Sequence, residues 1–154
     1  MAKFKVSLFI FRRDIRLEDN AALIKALESS EKVIPLFIFD KAQRNHDYFS
    51  NNAFEFMINS LKELDKELQK KGSRLLVLEG EIPLILKDLK ELTDFDALFI
   101  NQDYTPFSKK RDEIVKDFCK KNEVIFHDFH DYLINEPGKV LNQSGEPYKV
   151  FSAF

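Results

Sequence analysis

Glycine is scarce in this chain: its 154 residues hold four, Gly72, Gly80, Gly138 and Gly145. None follows the first apolar segment, Val6 to Ile10. A dinucleotide fingerprint needs glycines there so that the backbone can approach a pyrophosphate, and a P-loop needs Gly-x4-Gly-Lys-Ser/Thr. Both are missing, which argues against a nicotinamide redox enzyme and against an NTPase. Tryptophan is absent and phenylalanine occurs 16 times, so the core is expected to rest on phenylalanine. A single cysteine, Cys119, excludes an internal disulfide and fits a reducing compartment. No run approaches the roughly 18 apolar residues of a membrane span. The segment Met1 to Lys5 lacks the features of a signal peptide. These absences predict a cytoplasmic protein with no membrane partner. An excess of basic residues is lacking too: 24 Lys and Arg stand against 26 Asp and Glu, a formal charge of −2. Phosphate contacts need a basic face, so little nucleic-acid binding is expected of this chain by itself.

What is present is an ordinary globular composition, 44% hydrophobic and 32% charged, long enough to bury a core as one domain. Short apolar runs alternate with helical patterns. Strands are predicted at Val6 to Phe11, Val33 to Phe39, Arg74 to Leu78, Ala97 to Asn101 and Val124 to His127. Helices are predicted near Asn20 to Ser29, at Asn51 to Lys71, Ile82 to Leu92 and Ser108 to Lys121. The longest carries Phe54, Met57, Ile58, Leu61, Leu64 and Leu68 on one stripe, and Gly72 follows where a left-handed cap belongs. Nearly continuous apolar strands mean a parallel sheet covered on both faces. Right-handed crossovers then predict an α/β fold, a Rossmann-like doubly wound five-stranded sheet of order 3-2-1-4-5. From Asp128 onward no helix is expected, and Glu136-Pro137-Gly138 and Gln143-Ser144-Gly145-Glu146-Pro147 read as turns. The closing Tyr148 to Phe154 is rich in apolar side chains. It either folds back on the domain or leads into a second one, and the second is expected here.

Ligands of such sheets bind beyond the carboxyl ends of the strands, at the switch between strands 1 and 4. Three polar groups are predicted to meet there: Arg12-Arg13-Asp14, Asp40 and Asn101-Gln102-Asp103. Arginine and two carboxylates, backed by Phe39 and Tyr104, would suit a polar aromatic heterocycle. The plain alternative is that Arg13 and the aspartates pair with one another and cap helices. His127 and His130 fall on opposite faces of an outgoing strand, which does not suit a metal. Cys119 shares a stripe with Ile114, Val115 and Phe118 and reads as a small buried hydrophobe. The lysine-rich stretches Lys62 to Lys71 and Lys109 to Lys121 read as solvated faces.

The segment Phe11-Arg12-Arg13-Asp14-Ile15-Arg16-Leu17-Glu18-Asp19-Asn20-Ala21-Ala22-Leu23 resembles the first-strand signature of the DNA photolyase and cryptochrome family. The likeness continues through Val33 to Asp40, Gly72 to Gly80, and Asn101-Gln102-Asp103-Tyr104-Thr105-Pro106-Phe107 with Arg111-Asp112. It closes on Pro137-Gly138 and Tyr148 to Phe154, where Ser152-Ala153 departs from the usual Thr-Pro. The whole resembles class I cyclobutane pyrimidine dimer photolyases most.

That resemblance implies a photolyase-like α/β antenna domain over residues 1–130 and the start of an interdomain linker over 131–154. The family's helical domain, which binds FAD and damaged DNA, is not in this chain. By similarity, the whole protein would repair cyclobutane pyrimidine dimers in light, and this chain alone would be inactive, with no catalytic residue and no metal site. Its partner would be its own C-terminal FAD-binding domain, and through it damaged DNA. Arg13, Asp40 and Asp103 match the polar contacts of an antenna chromophore. Asn101-Gln102-Asp103 resembles the type that holds 8-hydroxy-5-deazaflavin or a flavin. Phe107-Ser108 stand where the methenyltetrahydrofolate type carries Asn-Glu, which makes folate the weaker candidate. Ala53 stands where some deazaflavin binders have arginine. Two other readings compete: a cryptochrome-type blue-light receptor, and a stand-alone nucleotide-binding Rossmann-like module. The glycine count speaks against the latter.

Overall fold

The computed structural model describes residues 2–40, 50–131 and 133–148, and the predicted closing segment Tyr148 to Phe154 lies outside them apart from Tyr148. Among the described residues five strands and four helices alternate: β1 (Phe4–Phe11), α1 (Ala21–Ser29), β2 (Ser30–Phe39), α2 (Asn51–Lys70), β3 (Leu76–Glu79), α3 (Ile82–Thr93), β4 (Ala97–Asn101), α4 (Pro106–Lys121) and β5 (Ile125–Phe129). The strands form one parallel sheet of order β3-β2-β1-β4-β5, the predicted order.

Period-two alternation along β1 sorts the core into two chemically different layers. Leu8 and Ile10 face α3 and α4 with Leu36, Ile38, Leu98, Ile100, Ile85, Leu86, Val115 and Cys119, a mostly aliphatic layer. Phe9 and Phe11 face α1 and α2 with Phe4, Phe37 and Phe99. There the fully buried Ala22 and Ala26 let α1 lie close, and Leu61, Leu64 and Leu68 close the layer from α2. The expectation of a phenylalanine core thus holds mainly for one side of the sheet. Pro35 sits inside β2, where a central strand would lose a ladder bond. It precedes the first β2–β3 pair, Leu36 with Leu76, so β2 is still an edge strand at that point.

Element ends differ from the sequence reading where caps decide them. The fourth helix begins at Pro106, not Ser108, because the Thr105 hydroxyl accepts from Ser108 N at 3.1 Å and proline is tolerated in a first turn. The fifth strand runs on to Phe129, whose carbonyl accepts from Gln102 N at 2.8 Å. The second strand starts three residues early, at Ser30, which pairs with Phe4. The third strand starts late, at Leu76, because the chain is turning before it: Leu75 N donates to Asp65 of α2 at 2.8 Å. Gly72 has φ +76, the left-handed conformation expected after α2. Beyond Phe129 the described residues form turns and bends and no helix. No helix among the described residues is long and apolar enough to cross a membrane.

Candidate functional site

The carboxyl ends of β1, β2 and β4 meet as the strand order requires, and the loop after β1 is locked there by a buried polar network. Asp14 turns inward: its carboxylate accepts from Arg12 N at 2.7 Å, Asn101 Nδ2 at 2.5 Å and Asn20 Nδ2 at 3.3 Å. Asn20, fully buried, caps α1 by accepting from Leu23 N at 3.1 Å. Asn101 Oδ1 accepts from Ala22 N at 3.0 Å, and Asp131 Oδ1 accepts from Ala21 N at 3.0 Å. The three leading N–H groups of α1 are therefore met by side chains from three separate parts of the chain. In a dinucleotide-binding sheet such a helix start is free to take a phosphate. Here the protein fills it, which agrees with the missing glycines. Much of the tridecapeptide after β1 thus holds the loop rather than a ligand.

Beside this network lies a cleft of about 110 Å³, lined by Ile10, Phe37, Met57, Arg13, Asp40 and Arg111, among others. It adjoins a groove of about 360 Å³ that shares Asp40, Ile82 and Arg111 and adds Phe107 and Ile114. Of the three predicted residues, Arg13 and Asp40 share this cleft. Arg13 is 68% exposed, and its Nη1 lies 3.8 Å from Asp103 Oδ1. Asp103 itself is buried, accepts from Ser108 Oγ at 2.7 Å, and faces a different, mixed-charge groove with Gln102, Lys109 and Asp128. It joins the cleft through Arg13, not as part of the wall. The predicted aromatic backing also differs. Phe37 and Met57 line the cleft, while Phe39 packs on Phe37 and Phe54 at ring distances of 4.9 and 5.8 Å. Tyr104 turns toward the exit of β5, where its hydroxyl hydrogen-bonds His130 Nδ1.

Two further arginines line the cleft: Arg12, which the sequence placed in the strand-1 group without a binding role, and Arg111, which it did not place there. Arg12, 6% exposed, reaches Asp112 Oδ1 at 2.6 Å and the Asn101 carbonyl at 3.5 Å. Arg111 reaches the same Asp112 oxygen at 3.4 Å. One carboxylate thus serves two guanidinium groups. Burial and the nearby Arg12 charge push the Arg111 pKa below its ordinary value, against the opposing pull of Asp112 and Asp103. The sequence signal was Arg111-Asp112 itself, an arginine–acid pair inside the lysine-rich stretch that reads as solvent-facing.

The remaining candidates are structural. The His127 ring stacks on Phe99 at 4.7 Å, and burial, then Lys3, lowers its pKa. His130 Nε2 meets the Leu133 carbonyl at 2.5 Å. Cys119 is buried, and desolvation pushes its thiol up to about 12. It serves as a small core hydrophobe.

Comparisons with known proteins agree with this architecture. The family model described as DNA photolyase matches residues 7–154. A deoxyribodipyrimidine photo-lyase of Agrobacterium fabrum is 33% identical over 145 residues, 94% of this chain and 29% of its own length. An archaeal photolyase from Sulfolobus tokodaii, solved with two FAD molecules and an implied novel light-harvesting cofactor, is 45% identical with a TM-score of 0.82. That match covers 89% of this chain and 32% of the archaeal one. A bacterial class III photolyase from Agrobacterium tumefaciens is 30% identical with a TM-score of 0.89, covering 99% of this chain and 31% of its own. Proteins named cryptochrome match most of the chain as well. The chain spans about 30% of the length of these photolyases. It belongs to the DNA photolyase family, and the part of that family it matches is the N-terminal α/β domain.

Proposed function

We propose that this chain is the light-harvesting domain of a deoxyribodipyrimidine photolyase, and that an antenna chromophore lies in the cleft and adjoining groove at the carboxyl edge of the sheet. The observation that carries the reading is the meeting of Arg13 and Asp40 in an apolar-walled cleft at the switch point. The inner cleft alone is smaller than the roughly 300 Å³ at which ligand pockets begin, and the adjoining groove brings the space into that range. The Sulfolobus relative, whose structure holds a second FAD, adds support for a flavin-like occupant. An 8-hydroxy-5-deazaflavin or a flavin fits better than methenyltetrahydrofolate, since Phe107 and Ser108 offer no amide and carboxylate pair to a folate.

When bound, such a chromophore absorbs blue or near-ultraviolet light and passes the energy on. This chain's own residues hold and orient it. Ile10, Phe37 and Met57 supply an apolar wall that excludes water. Asp40 would accept hydrogen bonds from the chromophore, and Arg13 would donate them. Asp103, held by Ser108, lies within ion-pair reach of Arg13. Residues 1–130 form the antenna domain and 131–154 begin the linker to a helical FAD-binding domain, through which damaged DNA would bind and be repaired. The Arg16–Asp131 ion pair, at 2.8 Å, would hold the start of that linker against α1. The class I likeness of the motifs remains part of this proposal.

Reconstitution tests the site. Incubated with 8-hydroxy-5-deazaflavin or riboflavin, the chain is expected to retain the chromophore through gel filtration. Asp40→Ala and Arg13→Ala are expected to lower the retained fraction. Retention that survives both changes would misplace the site. The enzyme reading is tested on the whole protein: an FAD-loaded form that binds thymine dimers without repairing them in light would sink it and favour a cryptochrome role. The 154-residue chain alone is expected to repair nothing under any illumination.

A further inference from the structure

We propose that the inner cleft is an oxyanion subsite, in which Arg12 and Arg111 together hold the phosphate of a bound flavin nucleotide. The position of the ring rests on the chromophore reading above. The anion rests on four observations of the two guanidinium groups.

The Arg12 side chain is 6% exposed, and its Nε has no hydrogen-bond partner among the described residues. Arg111 Nη2 is buried without a partner in the same way. A buried donor on a charged group is costly to leave unmade, so native structures rarely leave two side by side without a role. Charge points the same way. Two guanidiniums share the single carboxylate of Asp112, and among the described residues the cleft lining adds Arg13 and Asp40. A second anion between Arg12 and Arg111 would relieve the repulsion that, after burial, lowers the Arg111 pKa. The planar guanidinium fork matches the paired oxygens of a phosphate.

Size and place agree. The inner cleft of about 110 Å³ is too small for a tricyclic ring yet takes a few water-sized oxygens, which suits one tetrahedral oxyanion. The usual phosphate position of this fold class, the start of the helix after the first strand, is closed by Asn20, Asn101 and Asp131. The two guanidiniums, each with one unpartnered nitrogen, lie on the other side of the sheet ends, toward α3 and α4, and Ile82 at the start of α3 also lines the cleft. The phosphate position has in effect moved from a helix start to an arginine pair.

FMN and riboflavin share a ring and differ by one phosphate, which makes them the probe pair. The chain is expected to bind FMN about tenfold tighter than riboflavin, the equivalent of one charge-assisted hydrogen-bond set. Inorganic phosphate should compete with FMN and not with riboflavin. Arg111→Gln should cut the FMN preference to about twofold or less, and Arg111→Lys should keep part of it. In the unmodified chain, added phosphate should shift the 15N–1H signals of the Arg12 and Arg111 Nε–H groups, a readout that needs no variant to fold. Equal affinity for the two flavins overturns the proposal, as does a preference that survives Arg111→Gln. If neither flavin binds, the chromophore reading fails, and the phosphate titration alone decides the subsite: shifted Nε–H signals uphold the anion site and unmoved signals overturn it.

Discussion

Asn101, the last residue of β4, donates through Nδ2 to the Asp14 carboxylate just past β1 at 2.5 Å. The same amide group also meets Asn20 Oδ1 at 2.8 Å, and its carbonyl oxygen accepts from Ala22 N. One side chain thus ties two strand ends to the start of α1, out of reach of water. Asn101→Ala leaves a buried carboxylate, a buried amide and a helix N–H short of partners. Losses of this kind cost about 1–3 kcal/mol each where a group is left unsatisfied, and they are not additive. We expect Asn101→Ala to lower stability by about 3 kcal/mol, read as a lower urea midpoint with an unchanged slope. Asn101→Asp should be no better, since it sets a second carboxylate against Asp14. A loss below about 0.5 kcal/mol, the range of surface substitutions, would show that the network is dispensable.

A second tie joins the exit of the sheet to the same helix. The Asp131 side chain is 3% exposed and accepts from both Ala21 N and Arg16 Nη2. A carboxylate at a helix start is favourable for the dipole and for the free N–H groups. Arg16 is 37% exposed, so the ion pair is partly screened and the backbone contact carries more of the effect. Asp131→Ala is expected to cost about 1 kcal/mol. It should raise the hydrogen-exchange rates of the Ala21 amide and of residues 129–131, while the amides of β1 and β4 stay as slow as before. Uniform acceleration through the sheet would mean that the clasp is not local.

The layered sheet was legible in the sequence because its cause is local. Strands such as Ala97–Asn101, apolar at both alternating positions, announce a two-sided sheet, and the α2 stripe of Leu61, Leu64 and Leu68 announces one of the covers. Helix starts were less legible, since Thr105 caps α4 through a hydroxyl whose effect depends on backbone angles. The candidate site was legible in position and only partly in membership. Strand order alone brings Arg12-Arg13-Asp14 beside Asp40, and the family resemblance singles out Arg13. Asp103 did not line the cleft, because Ser108 one turn into α4 draws its carboxylate away from it. Arg111 and Asp112 were hidden by their setting among Lys109, Lys110 and Glu113, since composition cannot tell which face of a helix meets a strand end. The Asp14–Asn20–Asn101 network pairs residues 87 apart, a separation no periodicity reports.

Cys119 packs in the aliphatic layer, and desolvation holds its pKa at about 12. The thiolate, not the thiol, attacks disulfide reagents. At pH 8 the folded chain is therefore expected to leave Ellman's reagent unreacted over hours, and to release one equivalent on addition of denaturant. Since the folded thiol opens only through unfolding, Asn101→Ala should speed its labelling in step with the stability that it removes. Fast labelling of the unmodified chain would contradict the packing of α4 against the sheet.

His127 gives the fold a dependence on mild acid. Its ring is stacked on Phe99 and edge-on to Phe4, and burial first, then the Lys3 charge, lowers its pKa from the ordinary 6.5, while Asp128 pulls the other way. A histidine whose folded pKa lies below its unfolded one binds fewer protons in the folded state. Stability then rises with pH between the two values, is fully present above about 6.5, and falls as the pH drops through that point toward the lowered folded pKa. We expect the melting temperature to decline from pH 7 to pH 5 by more in the unmodified chain than in His127→Phe, which keeps the ring contacts and removes the titration. Equal declines would assign the acid sensitivity to the carboxylates instead. A decline on the alkaline side that His127→Phe removes would reverse the sign and refute the half-buried ring stacked on Phe99 as its cause.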